Sequence, residues 1–173
     1  NARNRIGRID GELAQLAGRP PSSMADLRLF ARFHDIGKVG IPDHILLKPD
    51  ALGTEEWHTL KKHSEIGYRI AYASHELRPI ANWILKHHEH WDGQGYPLGL
   101  EGPDIPFECR LLAIVDSYDA MISDRPYRKG MPHQAALEEL ARCAGSQFDP
   151  ALTQLFLEMM HRTSSEYASP KQS

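Results

Sequence analysis

No run of about 18 uninterrupted apolar residues, the length a membrane-spanning helix needs, occurs in this chain of 173 residues. The N-terminus, Asn1 to Asp10, is polar and basic and carries no apolar signal-peptide core. Cysteine is scarce as well. Only Cys109 and Cys143 are present, too few for a disulfide framework and not spaced as a Cys-x-x-Cys pair for zinc or redox work, so both are expected as reduced, packed thiols. An excess of positive charge is missing too: 20 Lys and Arg stand against 23 Asp and Glu, a formal net charge of -3. Duplex nucleic acid is thereby excluded as the main partner, because such binding runs on phosphate neutralisation by many cations. A local basic cluster can still hold a small phosphate ligand. Finally, no segment alternates Val, Ile, Thr and aromatic residues in the manner of a half-buried strand. What remains, with 41% hydrophobic and 25% charged residues, suits one soluble domain with a real core.

The apolar spacing is helical almost throughout, which predicts an all-α domain of about seven helices. Ile6, Ile9, Leu13, Leu16 and Ala17 repeat at helical intervals and halt at Gly18-Arg19-Pro20-Pro21, where glycine ends a helix and the prolines forbid its continuation. Ser22 or Ser23 can cap a second helix carrying Met24, Leu27, Leu29, Phe30, Ala31 and Phe33, which delivers His34 and Asp35 near its C-terminal end. Residues 36–53 read as irregular. Thr54-Glu55-Glu56 starts a third helix through His63, with Gly67 as a bend before Tyr68 to Ala73. Another helix spans about Glu76 to His88. Trp91 to Pro106 holds four Gly and three Pro and is expected as a loop, either functional or disordered at that length. Pro106 suits the first turn of a long apolar helix to about Ser123 that presents Asp116 and Asp119. Helices over about 132–144 and 149–162 close the core, so the domain is expected over residues 1–163 with a flexible tail over 164–173. There are no internal repeats.

Against these scarcities one residue type is abundant. Ten histidines occur, most of them bunched between His34 and His90, and histidine is the commonest metal ligand among side chains. His34-Asp35 alone is a pairing that chance or helix-end capping produces often. His63, His87-His88 and Asp116, however, fall on separate predicted helices beside apolar residues such as Ile66, Trp83-Ile84-Leu85 and Ile114-Val115. Burial then leaves several imidazoles and carboxylates in need of partners, and a shared metal centre satisfies them together. Each histidine also has a plainer reading: His63 as a surface residue after Lys61-Lys62, and His87, His88 and His90 as a solvated helix end favoured by the C-terminal dipole. Asp116 is harder to explain that way, since a carboxylate following Leu111-Leu112-Ala113-Ile114-Val115 must be paired, hydrogen-bonded or metal-bound if it faces the core.

Nitrogen and carboxylate donors without thiolate suit iron, manganese, zinc or cobalt, and mixed His/Asp sets are typical of two-metal hydrolases with ions about 3.5 to 4 Å apart. In that chemistry Asp35 is the expected bridge between two cations that share an activated water as hydroxide, and the ions stabilise charge on the attacked phosphorus. The zinc-protease pattern His-Glu-x-x-His is excluded, because His88-Glu89 is followed by His90-Trp91-Asp92. Phosphate handling needs further cations. Lys38, three residues after Asp35 and next to Gly37, is placed to reach the metals, and Arg125 with Arg128 offers two guanidinium groups that match phosphate geometry. The plain alternative for each is solvated surface charge. Tyr96 and Trp91 are candidates to stack on a base or, equally, to pin their loop to the domain.

These residues, in this order, resemble the HD-GYP family, a bacterial branch of the HD-domain metal-dependent phosphohydrolases, over roughly residues 5–160. His34-Asp35-Ile36-Gly37-Lys38 with Ile41-Pro42-Asp43 is similar to the family's opening motif, and Lys62-His63-Ser64-Glu65-Ile66-Gly67 to its second. His87-His88-Glu89-His90-Trp91-Asp92-Gly93-Gln94-Gly95-Tyr96-Pro97 is similar to the segment that names it. Asp116-Ser117-Tyr118-Asp119-Ala120-Met121 and Ser123-Asp124-Arg125-Pro126-Tyr127-Arg128 complete the set. The resemblance implies an all-α HD-domain helical bundle with a Gly/Pro-rich GYP loop, and hydrolysis of the bacterial second messenger cyclic di-GMP to linear pGpG and, in some members, to GMP. Carried over by position, it implies His34, Asp35, His63, His87, His88 and Asp116 as ligands of two divalent metal ions, iron or manganese ahead of zinc, cobalt or nickel. Asp35 and Lys38 take catalytic roles, and Lys38, Tyr96, Arg125 and Arg128 face the cyclic dinucleotide. It also implies a cytoplasmic location, a sensory or receiver domain upstream, a diguanylate cyclase partner at the GYP loop, and a homodimer as a candidate assembly.

One departure stands out. The family carries a further His on the first helix, in trinuclear members with a Glu just before it. The spacing puts that His at Ala2 and the Glu ahead of Asn1, and no His precedes His34. One ion is therefore expected to retain His34, Asp35 and Asp116 with waters, and a third ion is not expected. Three functions stand as alternatives: an active cyclic di-GMP phosphodiesterase, a degenerate non-hydrolytic module that binds nucleotide or a cyclase partner, and an HD scaffold acting on another cyclic dinucleotide. In the last case the 91–106 loop sets base choice.

Overall fold

The computed structural model describes residues 2–18 and 24–168. Among them no strand forms: three isolated bridges are the only β-type pairing, and the regular structure is helical. The all-α expectation holds, in more and shorter pieces than foreseen, with nine α-helical segments and three 3-10 turns among the described residues.

Helices α1 (Ala2–Leu16) and α2 (Met24–Phe33) pack along one another. Ile6, Ile9, Leu13 and Ala14 of α1 are buried, the stripe that the sequence spacing marks, and α2 buries Leu27, Phe30 and Ala31. The expected caps Ser22 and Ser23 lie outside the described residues, as do Arg19 to Pro21. The centre is α7 (Phe107–Ile122), whose Leu111, Leu112, Ile114 and Val115 are fully enclosed against α1, α8 (His133–Arg142) and α9 (Pro150–Ala168). Each such Leu, Ile or Val contributes about 1.5–3 kcal/mol through burial. Two ion pairs tie the layers: Arg5 Nε donates to Asp119 at 2.8 Å between α1 and α7, and Arg110 donates to Asp149 at 2.7 Å. Asp149 also accepts from the backbone N–H of Ala151 and Leu152, capping α9.

Several boundaries differ from the sequence reading. Residues 36–53 are not irregular throughout, for a 3-10 turn over Ile36–Gly40 and the short α3 (Asp43–Leu46) occupy them. Ile41 and Ile45, both buried, fold that segment onto the domain. The helix expected from Thr54 through His63 breaks at Lys62 into α4 (Thr54–Lys61) and α5 (His63–Ala73). Gly67 is not a bend but an interior residue of α5, and its missing side chain makes room for Ile84: a Cβ there would stand 2.8 Å from Ile84 Cγ2. The helix expected over 76–88 is reduced by Pro79 to a 3-10 turn, Arg78–Ile80, followed by α6 (Ala81–Lys86). Helix α9 continues to Ala168, past the expected end near 162, and the rest of the tail expected over 164–173 lies outside the described residues. No helix among the described residues is long and apolar enough to cross a membrane.

Candidate metal centre

Helix ends converge on one point. His34 follows α2, His63 opens α5, His87 follows α6, and Asp116 lies within α7. The first three histidines share one local arrangement, in which the ring nitrogen Nδ1 meets the carbonyl three residues earlier. The distances are 3.0 Å for His34 to Ala31, 2.7 Å for His63 to Leu60 and 2.6 Å for His87 to Ile84. A carbonyl only accepts, so Nδ1 carries the proton of each neutral ring and Nε2 keeps a free lone pair. The Nε2 atoms of His34, His63 and His87 are buried, and none has a hydrogen-bond partner. Three orphaned lone pairs are costly without a common acceptor, and a cation is the species that accepts from all of them.

Asp35 sits among them. Its Oδ2 is 3.3 Å from His34 Nε2, and its Oδ1 is 3.7 Å from His63 Nε2 and 3.6 Å from His87 Nε2. These are charge contacts without hydrogen-bond alignment, with both carboxylate oxygens engaged as a bridging ligand requires. His88 joins them, and ligand atoms of Asp35, His63, His87 and His88 all lie within 4.8 Å of one another. On the other oxygen stands His34, whose Nε2 is 3.6 Å from Asp116 Oδ1. The structure therefore brings together all six residues that the sequence singled out, as a group of four with two more beside it.

Glycine makes the approach possible. A Cβ on Gly37 would stand 1.8 Å from the His63 carbonyl oxygen and 2.6 Å from the Gly67 nitrogen. Without side chains at 37 and 67, the turn after Asp35 lies directly on α5 and carries Asp35 to His63. Protonation follows the same geometry. Burial opposes the charge on His34, but Asp116 and Asp35 outweigh it and raise that imidazole to about 10. Burial, then His87 and His63, lowers His88 to about 2, and burial likewise lowers His63. Burial resists the charge on Asp35 too, yet His34 and His87 hold its carboxyl well below the usual carboxylate range. His63 and His88, held neutral beside the ionised Asp35, are donors ready for a divalent ion, whereas His34 must give up its proton to bind one.

The 91–106 loop is anchored, not disordered. Glu89, buried beneath it, accepts from the backbone N–H of Leu98 at 2.7 Å and Leu100 at 2.9 Å. Gly95 is required there, because a Cβ would come within 2.3 Å of the His90 nitrogen and 2.5 Å of the His88 oxygen. Tyr96 stacks on His88, ring centroids 5.0 Å apart, with Lys61 above it at 5.3 Å. Burial, with Asp35 nearby, raises the Tyr96 hydroxyl to about 12. Trp91 pins the loop, since Arg110 lies over its ring and its backbone bonds to Gln147 and Gly102.

Lys38 Nζ is 3.2 Å from Asp35 Oδ2. Arg125 and Arg128 are exposed in a turn beyond α7, where Arg128 donates to the Ala120 carbonyl at 2.9 Å and caps the helix. Among the described residues no side-chain bond joins either arginine to the histidine cluster. Two acidic residues escaped the sequence reading. Glu89 was legible only as one more polar residue in the His87 to His90 run. Asp10 occupies a core position beside Ile6, Ile9 and Leu13 and is fully buried, with neither carboxylate oxygen hydrogen-bonded. Burial pushes its carboxyl well above the usual range, with His34 opposing that rise and Asp116 adding to it. An acid within an apolar helical stripe was the signal available.

A family model described as HD domain matches residues 1–152. A cyclic di-GMP phosphodiesterase of Thermotoga maritima is 38% identical over 169 residues, 96% of this chain and 46% of that protein. A 3'3'-cGAMP-specific phosphodiesterase of Vibrio cholerae is 41% identical over 148 residues, 84% of this chain and 28% of that protein. The chain thus spans less than half the length of either relative. A HDG"Y"P protein of Bdellovibrio bacteriovorus shares the fold at a TM-score of 0.68 and 22% identity, covering 90% of this chain and 50% of that one. With a family model matched over residues 1–152 and a relative 38% identical over 96% of this chain, the protein belongs to the HD domain family.

Proposed function

We propose that this chain is the catalytic part of a metal-dependent phosphodiesterase that hydrolyses cyclic di-GMP to linear pGpG, which some members of the family carry on to GMP. The observation that carries the reading is the convergence of three unpartnered, tautomer-fixed Nε2 atoms on Asp35. Asp35, His63, His87 and His88 would hold one divalent ion, and His34 and Asp116, beside Asp35, would hold a second, with iron or manganese as the metals. Bound divalent ions supply Lewis acidity toward a phosphoryl oxygen and make water nucleophilic at neutral pH.

The chain's own groups do the rest. Lys38 is half-exposed beside Asp35 and turns its ammonium to a non-bridging phosphate oxygen, where charge grows in the transition state. Tyr96 presents a ring at the edge of the cluster for a base, and Arg125 and Arg128 supply cations at its periphery for a second phosphate. The substrate class is supported by two relatives that act on cyclic dinucleotides, and cyclic di-GMP is preferred because the relative named for it matches 96% of the chain. A second messenger of this kind places the site in the cytoplasm, behind a sensory or receiver domain. Leu98, exposed at the loop tip, is the contact for a cyclase or for a second copy of the chain.

The test is turnover by chain reconstituted with ferrous iron or manganese, offered cyclic di-GMP and 3'3'-cGAMP, with products separated by chromatography. Linear pGpG is expected. Lys38→Ala is expected to lose about 100-fold or more in kcat, the usual cost of removing one charge-stabilising donor, and Asp35→Asn to abolish turnover. A fully metal-loaded chain that cleaves neither dinucleotide refutes the reading. Preference for 3'3'-cGAMP moves the substrate within the class, and Tyr96→Ala then reports whether the loop sets it.

A further inference from the structure

We infer that Asp10 is an additional member of the metal centre, its carboxylate serving the ion held by His34 and Asp116 through one bound water. This rests on the two-ion reading above and adds a residue to it from a helix that otherwise contributes none. Asp10 lies in the inward stripe of α1, and α1 packs on α2 and α7, the helices that bring His34 and Asp116 to the site. It is wholly removed from solvent, and both of its oxygens lack a partner. A buried carboxylate with nothing to satisfy it is among the costliest groups a core can hold. Arg5, the cation five residues away on α1, is engaged by Asp119.

The charged groups that act on Asp10 are His34 and Asp116, and the Nε2 of His34 is itself orphaned. Two buried, unsatisfied groups, an imidazole nitrogen and a carboxylate, thus act on one another from separate segments of the chain. A cation satisfies both. The donor inventory agrees, for His63, His87, His88 and Asp35 form a complete set of four. The other side has only His34, Asp116 and a share of Asp35. With Asp10 the centre holds three carboxylates against the four positive charges of two divalent ions, which reduces the net charge left in a buried place.

The test compares wild type with Asp10→Asn, which keeps size and loses charge, and with Asp10→Leu, which removes the polar group altogether. Manganese per chain is measured by elemental analysis, affinity by calorimetric titration, and melting temperature with and without metal. Wild type is expected to hold two ions. Both variants are expected to keep one and to weaken the second by about 10- to 100-fold, as is usual for outer partners of a metal site. The metal-free Asp10→Leu variant is expected to melt at or above the wild-type temperature, because a buried, unsatisfied carboxyl group is gone. A structural role predicts the opposite pairing, with intact metal binding and a lower metal-free melting temperature. Two ions bound with unchanged affinity in both variants overturn the role of Asp10 and leave the phosphodiesterase reading standing. Fewer than two ions in wild type overturn the two-ion reading, and the role of Asp10 with it.

Discussion

Replacing Gly37 by alanine is the sharpest test of how this centre is assembled. The added methyl group would meet the His63 carbonyl oxygen at 1.8 Å and the Gly67 nitrogen at 2.6 Å. Both are backbone atoms, and neither can swing aside as a side-chain tip does. The 3-10 turn must therefore lift from α5 by an ångström or more. Overpacking in a core costs about 1–3 kcal/mol, and a clash with two backbone atoms belongs at the top of that range. In a chain of this size each kcal/mol moves the melting temperature by about 2–4 °C, so a fall of roughly 6–12 °C is expected. Gly7→Ala is the control. Its Cβ finds the nearest atoms at 3.8 Å, and alanine in a helix interior is favoured over glycine by about 0.8–1 kcal/mol, so a small rise is expected. Calorimetric melting of both variants, with manganese content measured alongside, makes the comparison. Gly37→Ala should also lose metal, because Asp35 moves away from His63. A Gly37→Ala protein that melts within a degree of wild type and binds metal normally refutes the close-approach argument.

Other expectations follow from the same contacts. Adding metal to chelator-treated protein at about 100 times its dissociation constant should stabilise it by about 2.7 kcal/mol, and Asp35→Asn should erase most of that shift in a thermal melt. The metal-free form should lose stability as pH rises. His34 is raised from its ordinary 6.5 to about 10, so its contribution is fully present below pH 6.5 and vanishes as pH climbs through 10. Melting of the metal-free protein across that window should show the decline, and a His34→Gln variant should flatten it. Glu89→Gln should cost about 2 kcal/mol, because one amide cannot accept both loop N–H groups as the carboxylate does. Its kinetic signature is a raised KM for the dinucleotide with metal content intact, and a metal loss equal to that of Asp35→Asn would refute a loop-anchoring role.

Much of the molecule was legible in one dimension. Helical periodicity marked α1, α2 and α7, because a face packed on a core must repeat with the helix. The ordered His and Asp residues named the centre, because few side chains can hold a metal. Misplaced boundaries fell where tertiary contact overrides local preference. Gly67 looked like a bend and is instead the flat surface against which Gly37 and Ile84 close. The stretch after Gly37 looked irregular, yet Ile41 and Ile45 draw it into turns. Tyr96 was open between stacking on a ligand and pinning its loop, and in the structure its ring lies on His88.

Residue identity by itself determined that imidazoles and carboxylates would have to share a partner, since each is too polar to be buried alone. Only the fold decided how. Three Nδ1 atoms bind carbonyls within their own helical turns and so leave three Nε2 atoms facing Asp35, and α1 leaves Asp10 buried with both oxygens unpartnered. Those relations are distances between segments far apart in the chain, and spacing along a sequence does not encode them.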